Sequence, residues 1–137
     1  VRISQKLEYA CRALAQLAKH HDTQILTRLD ELAQREAVSA NFLVQILNDL
    51  RRAGLIDSKR GKEGGYLLAR APSAITLKEI VDAIDPALLA FSVSTDGESG
   101  PAVARSWKSL ASDFQKNLSL ITLENLAVMP GDTMFYI

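Results

Sequence analysis

The chain has 137 residues, 47% of them hydrophobic, with 16 basic and 16 acidic side chains and a single cysteine. That length supports one globular domain, and one cysteine excludes an internal disulfide framework or a thiolate cluster built within the chain. No apolar run approaches the roughly 20 residues that cross a bilayer, and the start shows no signal-peptide h-region, so a cytoplasmic protein with no membrane contact is expected.

Residues Ser4 to about His20 predict an amphipathic helix, with Leu7, Ala10, Cys11, Leu14, Leu17 and Ala18 on one side and Ser4 as its cap. A polar turn, His21 to Gln24, follows, and Ile25-Leu26 reads as a short strand able to pair with a hairpin. Thr27 is placed to cap a short helix from about Arg28 to Arg35. After the turn Glu36-Ala37-Val38, Ser39 caps a longer helix whose Phe42, Leu43, Ile46, Leu47 and Leu50 form one apolar stripe. Gly54, after Arg51-Arg52-Ala53, stops it. Two short strands, Leu55 to Ser58 and Tyr66 to Ala69, flank the glycine-rich basic loop Lys59 to Gly65.

Beyond Pro72, Thr76 and Glu79 have the spacing of a capping box for a helix running to Ile84, and Asp85-Pro86 ends it. Residues 87–100 begin apolar and finish as a Ser/Asp/Gly-rich loop. A long helix opens at Pro101, with Val103, Trp107, Leu110, Phe114, Leu118 and Ile121 close to the 3.5-residue repeat of a helix seam. That stripe has two possible partners, its own domain or the same helix of a second copy. The second is favoured, because DNA-reading domains of this type usually engage two half-sites with two-fold symmetry.

The sum is a mainly α fold with one small β-hairpin. Two helices joined by a tight turn and followed at once by a basic hairpin form a winged helix-turn-helix, here with a long C-terminal dimerisation helix. The organisation is a DNA-binding unit over residues 1–85, a loop over 86–100, and a dimerisation helix with tail over 101–137. Overall neutrality does not oppose DNA binding. Between Arg51 and Arg70 there are six basic residues against two acidic ones, and charge attraction acts locally, screened beyond about 8–10 Å.

The residues expected to meet double-stranded DNA follow from this placement. Ser39, Ala40, Asn41, Val44, Gln45 and Asn48 occupy the start and outer face of the recognition helix. Asn and Gln there can pair bidentately with adenine. In the wing, Arg60 suits a narrow minor groove, Lys59 and Lys62 suit phosphates, and Gly61, Gly64, Gly65 and Tyr66 complete the hairpin beside the duplex. Arg2, Ser4, Lys6 and Arg28 are secondary phosphate contacts. For Arg51 and Arg52, a solvated helix end is at least as good a reading. Cys11 on the apolar side of its helix fits inert core better than a redox sensor.

From Arg2-Ile3-Ser4 to Tyr136-Ile137 the sequence resembles the IscR/CymR/NsrR family of bacterial transcription regulators. The most specific stretch runs from Gly54 through Lys59-Arg60-Gly61 to Gly64-Gly65-Tyr66 and Pro72. The resemblance implies a homodimeric winged-helix protein that binds palindromic promoter elements, with a long helix near the C-terminus as its dimer contact. Cluster-binding members carry three cysteines before that helix, often with a nearby histidine. Here residues 85–107 hold neither, with Pro101 and Ala104 near the expected positions of the last cysteine and the histidine. Thiolate ligands for an iron–sulfur cluster are missing, and no cofactor or metal is expected. A small metabolite or protein effector acting on residues 87–100 stays open, as does constitutive repression. The alternatives are an interaction module that holds an acidic protein with its basic hairpin, and redox sensing through Cys11. No nucleotide loop, metal-ligand pair or nucleophile with its base is present, so no catalytic residue is expected.

Overall fold

In the computed structural model, which describes residues 2–127, helix α1 (Gln5–Ala18) is the central strut. Ser4 caps it by accepting from the Leu7 N–H at 3.1 Å, and Leu7, Leu14 and Leu17 are buried along one face. Helices α2 (Leu29–Glu36) and α3 (Ala40–Arg52) pack on α1 and on each other. The turn between them sends Ala37 into the left-handed region at φ 56°, and the Val38 N–H closes the end of α2 onto the Ala33 carbonyl.

The end of α3 explains how the hairpin is launched. Gly54 takes φ +78°, its N–H donates to the Arg51 carbonyl, and the Leu55 N–H reaches back to that of Leu50, both at 3.0 Å. This is the paired bonding of a Schellman cap, which satisfies the last carbonyls and buries Leu55. Strand β1 (Ile56–Lys59) then pairs antiparallel with β2 (Gly65–Leu68), in the register Ile56 to Leu68 and Lys59 to Gly65. Ile56 and Leu68 face the core, whereas Asp57, Ser58 and Lys59 are exposed.

A 3-10 turn (Pro72–Ala74) leads to α4 (Leu77–Ile84), where both arms of the capping box between Thr76 and Glu79 form. Glu79 also receives Arg70 at 2.7 Å, and that guanidinium holds its carboxyl below the usual carboxylate range. A second 3-10 turn (Pro86–Leu89) and a loop precede α5 (Gly100–Leu120).

The chain does not continue straight from α5. Leu77 N–H donates to the Ile121 carbonyl, and Leu123 N–H to that of Ile75, each at 2.8 Å, so the chain turns back onto α4. A short helix α6 (Leu123–Leu126) follows and packs against α1, with Leu123 fully buried.

Several expectations need correction. Ile25-Leu26 forms no strand; the pairing is an isolated bridge one residue later, between Thr27 and Tyr66. Thr27 does not cap α2, because the bridge turns its side chain inward and leaves Arg28 at the cap with no side-chain bond. Leu118 is not part of a free seam. It is buried in the core of its own domain, and Phe114 packs partly against that core as well. The tail after residue 127, assigned with the dimerisation helix, lies outside the described residues, as does Val1.

A candidate nucleic-acid interface on α3 and the hairpin

The outer face of α3 carries Asn41, Val44, Gln45 and Asn48 at helical spacing, while Leu43, Ile46, Leu47 and Leu50 are buried behind them. Ser39 caps the helix by accepting from the Phe42 N–H at 3.2 Å, which leaves its hydroxyl hydrogen available to an outside acceptor. Ala40 and Asn41 stand exposed in the first turn. A helix whose first turns project this way has the geometry to enter a major groove.

The hairpin stands beside it. Lys59, Arg60, Gly61 and Lys62 are all exposed at the tip. Its root is fixed to the rest of the fold from outside the two-stranded ladder. Thr27 N–H donates to the Tyr66 carbonyl at 2.9 Å, and Tyr66 N–H to that of Thr27 at 2.8 Å. Gly65 makes this approach possible, since a Cβ on it would lie 2.7 Å from the Thr27 carbonyl oxygen. Arg28 adds a brace by donating to the Lys62 carbonyl at 2.6 Å.

Between wing and helix lies an open cleft of about 500 Å³, lined by Arg28, Asp30, Asn48, Arg51, Lys59 and Arg60, with Arg28 Nε 3.7 Å from Asp30 Oδ1. Four of those side chains are cationic, so the cleft favours an anion, and a phosphate backbone is the extended anion that fits between a helix and a wing.

The structure thus gathers Arg28, Lys59, Arg60, Gly61, Gly64, Gly65 and Tyr66 around one cleft beside the α3 face. It does not bring in all the expected residues as expected. Lys6 is not a free phosphate donor: its ammonium pairs with Asp49 Oδ2 at 2.7 Å, tying the start of α1 to α3. Hydrogen bonds from Lys6 and then Arg52 hold the Asp49 carboxyl below its ordinary value. Arg28 braces the wing rather than projecting to solvent alone, and Tyr66 packs its ring partly against the core. Ser4 is engaged as the cap of α1, and Arg2 is exposed next to it. Arg51, read from the sequence as a solvated helix end at least as readily as a DNA contact, lines the cleft as well. Its signal was position, since it continues the Asn41–Asn48 stripe one turn further, into the cleft.

Tyr9 is half-buried, its ring edge-on to Phe42 at 5.5 Å and under the Arg12 guanidinium at 4.8 Å. Cys11 packs against the core, and burial pushes its thiol up to about 11. A reactive thiol needs the opposite setting, exposed and electropositive. Among the described residues, no group of three or more His, Cys, Asp or Glu side chains is placed to hold a metal ion, and no helix is long and apolar enough to cross a membrane.

The family profile described as "Rrf2: Iron-dependent Transcriptional regulator" matches residues 3–128. The chain belongs to this family. It is 35% identical over 127 residues to the HTH-type transcriptional regulator CymR of Bacillus subtilis, covering 93% of this chain and 90% of that one. To the IscR regulator of Erwinia tasmaniensis it is 31% identical over 135 residues, covering 91% and 79%. Among solved structures it is similar to CymR (YrzC), the global cysteine regulator of B. subtilis, with a TM-score of 0.82, 35% identity, and 93% and 96% of the two chains covered. The IscR of T. potens gives a TM-score of 0.72 at 31% identity, with 92% and 85% covered. These relatives are transcription regulators and not enzymes. The chain is accordingly a winged-helix, DNA-binding regulator of the CymR/IscR type.

Iron in the family description raises the question of whether this chain could hold a cluster. The donor set does not fit one. Its one cysteine sits on α1, where burial raises its thiol above the ordinary value, and residues 85–107, from the end of α4 into the first turns of α5, offer neither cysteine nor histidine.

Proposed function

We propose that the protein works as a homodimer on a palindromic promoter element, as a cytoplasmic repressor that needs no iron–sulfur cluster. Each protomer lays α3 in the major groove and sets the Lys59–Lys62 tip against the flanking minor groove. The observation that carries this reading is the pairing of an unengaged helix face with a cationic hairpin held at a fixed distance from it by Thr27 and Arg28. Arg60 enters the minor groove, Lys59 and Lys62 hold phosphates, and Ser39 and Arg51 clamp the backbone on either side.

The homodimer is supported by the first half of α5. Val103, Trp107 and Leu110 are 50%, 56% and 58% exposed on one helix face, an apolar strip that its own domain leaves uncovered. Paired with its two-fold mate, that strip would set two recognition helices against two half-sites.

The test is a competition titration at fixed salt between the protein's own upstream DNA and scrambled duplex, with footprinting to locate the site. Preference for the native duplex by a factor of about 1,000 or more is expected. Arg60→Ala should relax preference for A·T flanks, whereas Lys62→Ala should weaken all duplexes alike. Equal binding of native and scrambled duplex overturns the reading. Iron and sulfide analysis of anaerobically purified protein tests the cluster separately, and a stoichiometric cluster would refute that part.

A further inference from the structure

The reading face of α3 has a composition that narrows what it can read. From Ala40 to Asn48 there is no ionisable side chain. The first is Asp49, and it is turned aside into bonds with Lys6 and Arg52. A guanidinium or ammonium group is the usual partner of guanine O6 and N7, and a free carboxylate the usual acceptor for the cytosine amino group. The first turns of this helix present neither. Arg51 does not change this. It lies ten residues beyond Asn41, about 15 Å along the axis at 1.5 Å per residue, and lines the cationic cleft at the wing.

What the face does present is specific. Asn41 and Gln45 lie one turn apart, exposed, and Asn48 follows at the next turn. Asp49 on the same helix is engaged within the chain and the cap Ser39 accepts from the Phe42 N–H, but the amides of Asn41, Gln45 and Asn48 bond to nothing among the described residues. A side-chain amide offers one donor and one acceptor in the geometry that adenine N7 and N6 complement. Val44 sits between Asn41 and Gln45, half-exposed, with Ala40 one turn before it. Its methyl groups have one apolar partner available on a major-groove edge, the C5-methyl of thymine. The wing points the same way, because Arg60 at its tip is drawn to the narrow minor groove of A·T-rich DNA.

We propose that each half-site is read at A·T base pairs, with Val44 against a thymine methyl, Asn41 and Gln45 on adenines, and no guanine contact from the first half of α3. This rests on the major-groove reading of α3 proposed above and names the sequence class that such a helix accepts. Val44 is the specificity-determining residue that distinguishes it from an all-polar helix, which could not sense a methyl group.

The test starts with selection from a randomised duplex pool by the full-length chain. The selected duplex is then remade with deoxyuridine for thymine in the major-groove half-site, which removes only the C5-methyl, and separately with 7-deazaadenine, which removes N7. The expected selection is A·T at the pairs facing α3. Deoxyuridine should weaken the wild-type protein about threefold to tenfold and leave Val44→Ala unaffected. In the same way, 7-deazaadenine should weaken the wild type more than Gln45→Ala. Val44 is half-exposed, so its truncation does not threaten the fold. Guanine enriched at those pairs, an equal deoxyuridine loss in Val44→Ala, or no loss in either protein overturns the proposal while DNA binding stands. Failure to select any duplex over scrambled DNA overturns both.

Discussion

The two halves of α5 share one sequence pattern and have opposite surroundings. Leu118 near its end is 6% exposed, held where the chain turns back through Ile121 and Leu123 onto α4, while Trp107 three turns earlier stands in solvent. The hairpin divides likewise, with a root bonded to Thr27 and a tip of bare cations. In both, one part is bonded into the domain and the other is left open to solvent. One helix stripe can therefore be covered by its own domain at one end and bare at the other.

The contrast can be broken at its locked end first. Leu118→Ala should cost about 2–5 kcal/mol of stability in urea unfolding and leave self-association of the folded protein unchanged. A loss of assembly without a loss of stability would move Leu118 back into the seam. At the open end, Trp107→Asp should weaken self-association at least about 100-fold in sedimentation equilibrium while the protomer stays folded, since a desolvated charge opposes a helix pair. Unaltered association would mean that α5 is covered by something other than its own copy.

At the hairpin root, Gly65→Ala forces a methyl against the Thr27 carbonyl, and a cost of about 1–3 kcal/mol is expected. Faster amide hydrogen exchange at Thr27 and Tyr66 than at the α1 core would locate the damage. The smallest effect lies at the Lys6–Asp49–Arg52 link. Asp49→Asn should cost about 0.5–1 kcal/mol at neutral pH, a modest figure because Lys6 and Arg52 are partly solvated. The folded Asp49 carboxyl is depressed, so its contribution is present above the ordinary aspartate range and lost as the pH falls through the lower folded value. The wild-type advantage over Asp49→Asn should therefore fade on acidification below that range, and a gap independent of pH would exclude the link as its cause.

Local chemistry was readable from the residues and tertiary partnership was not. Ser39, Gly54 and the Thr76–Glu79 pair specify helix ends through bonds spanning a few residues, and all three form as the sequence implies. The hairpin and its basic tip were legible for the same reason. Leu118 and Trp107 were indistinguishable, because periodicity states that a face is apolar and not what covers it. Lys6 lies 43 residues from Asp49 and Arg28 lies 34 from the Lys62 carbonyl, so each looked like a free cation until the fold closed. Thr27 has the composition of a cap, but its backbone was drawn into the bridge with Tyr66, and tertiary pairing outweighed a local preference.

The bridge between Thr27 and Tyr66 has a consequence for how firmly a duplex is gripped. A loop that freezes only on contact subtracts its lost conformational entropy from affinity. Here the hairpin root is bonded into the fold before any partner arrives, so docking of the kind proposed above leaves chiefly the rotamers of Lys59, Arg60 and Lys62 to be ordered. Tightening the tip further would therefore gain little, whereas loosening the base would cost grip on every sequence at once.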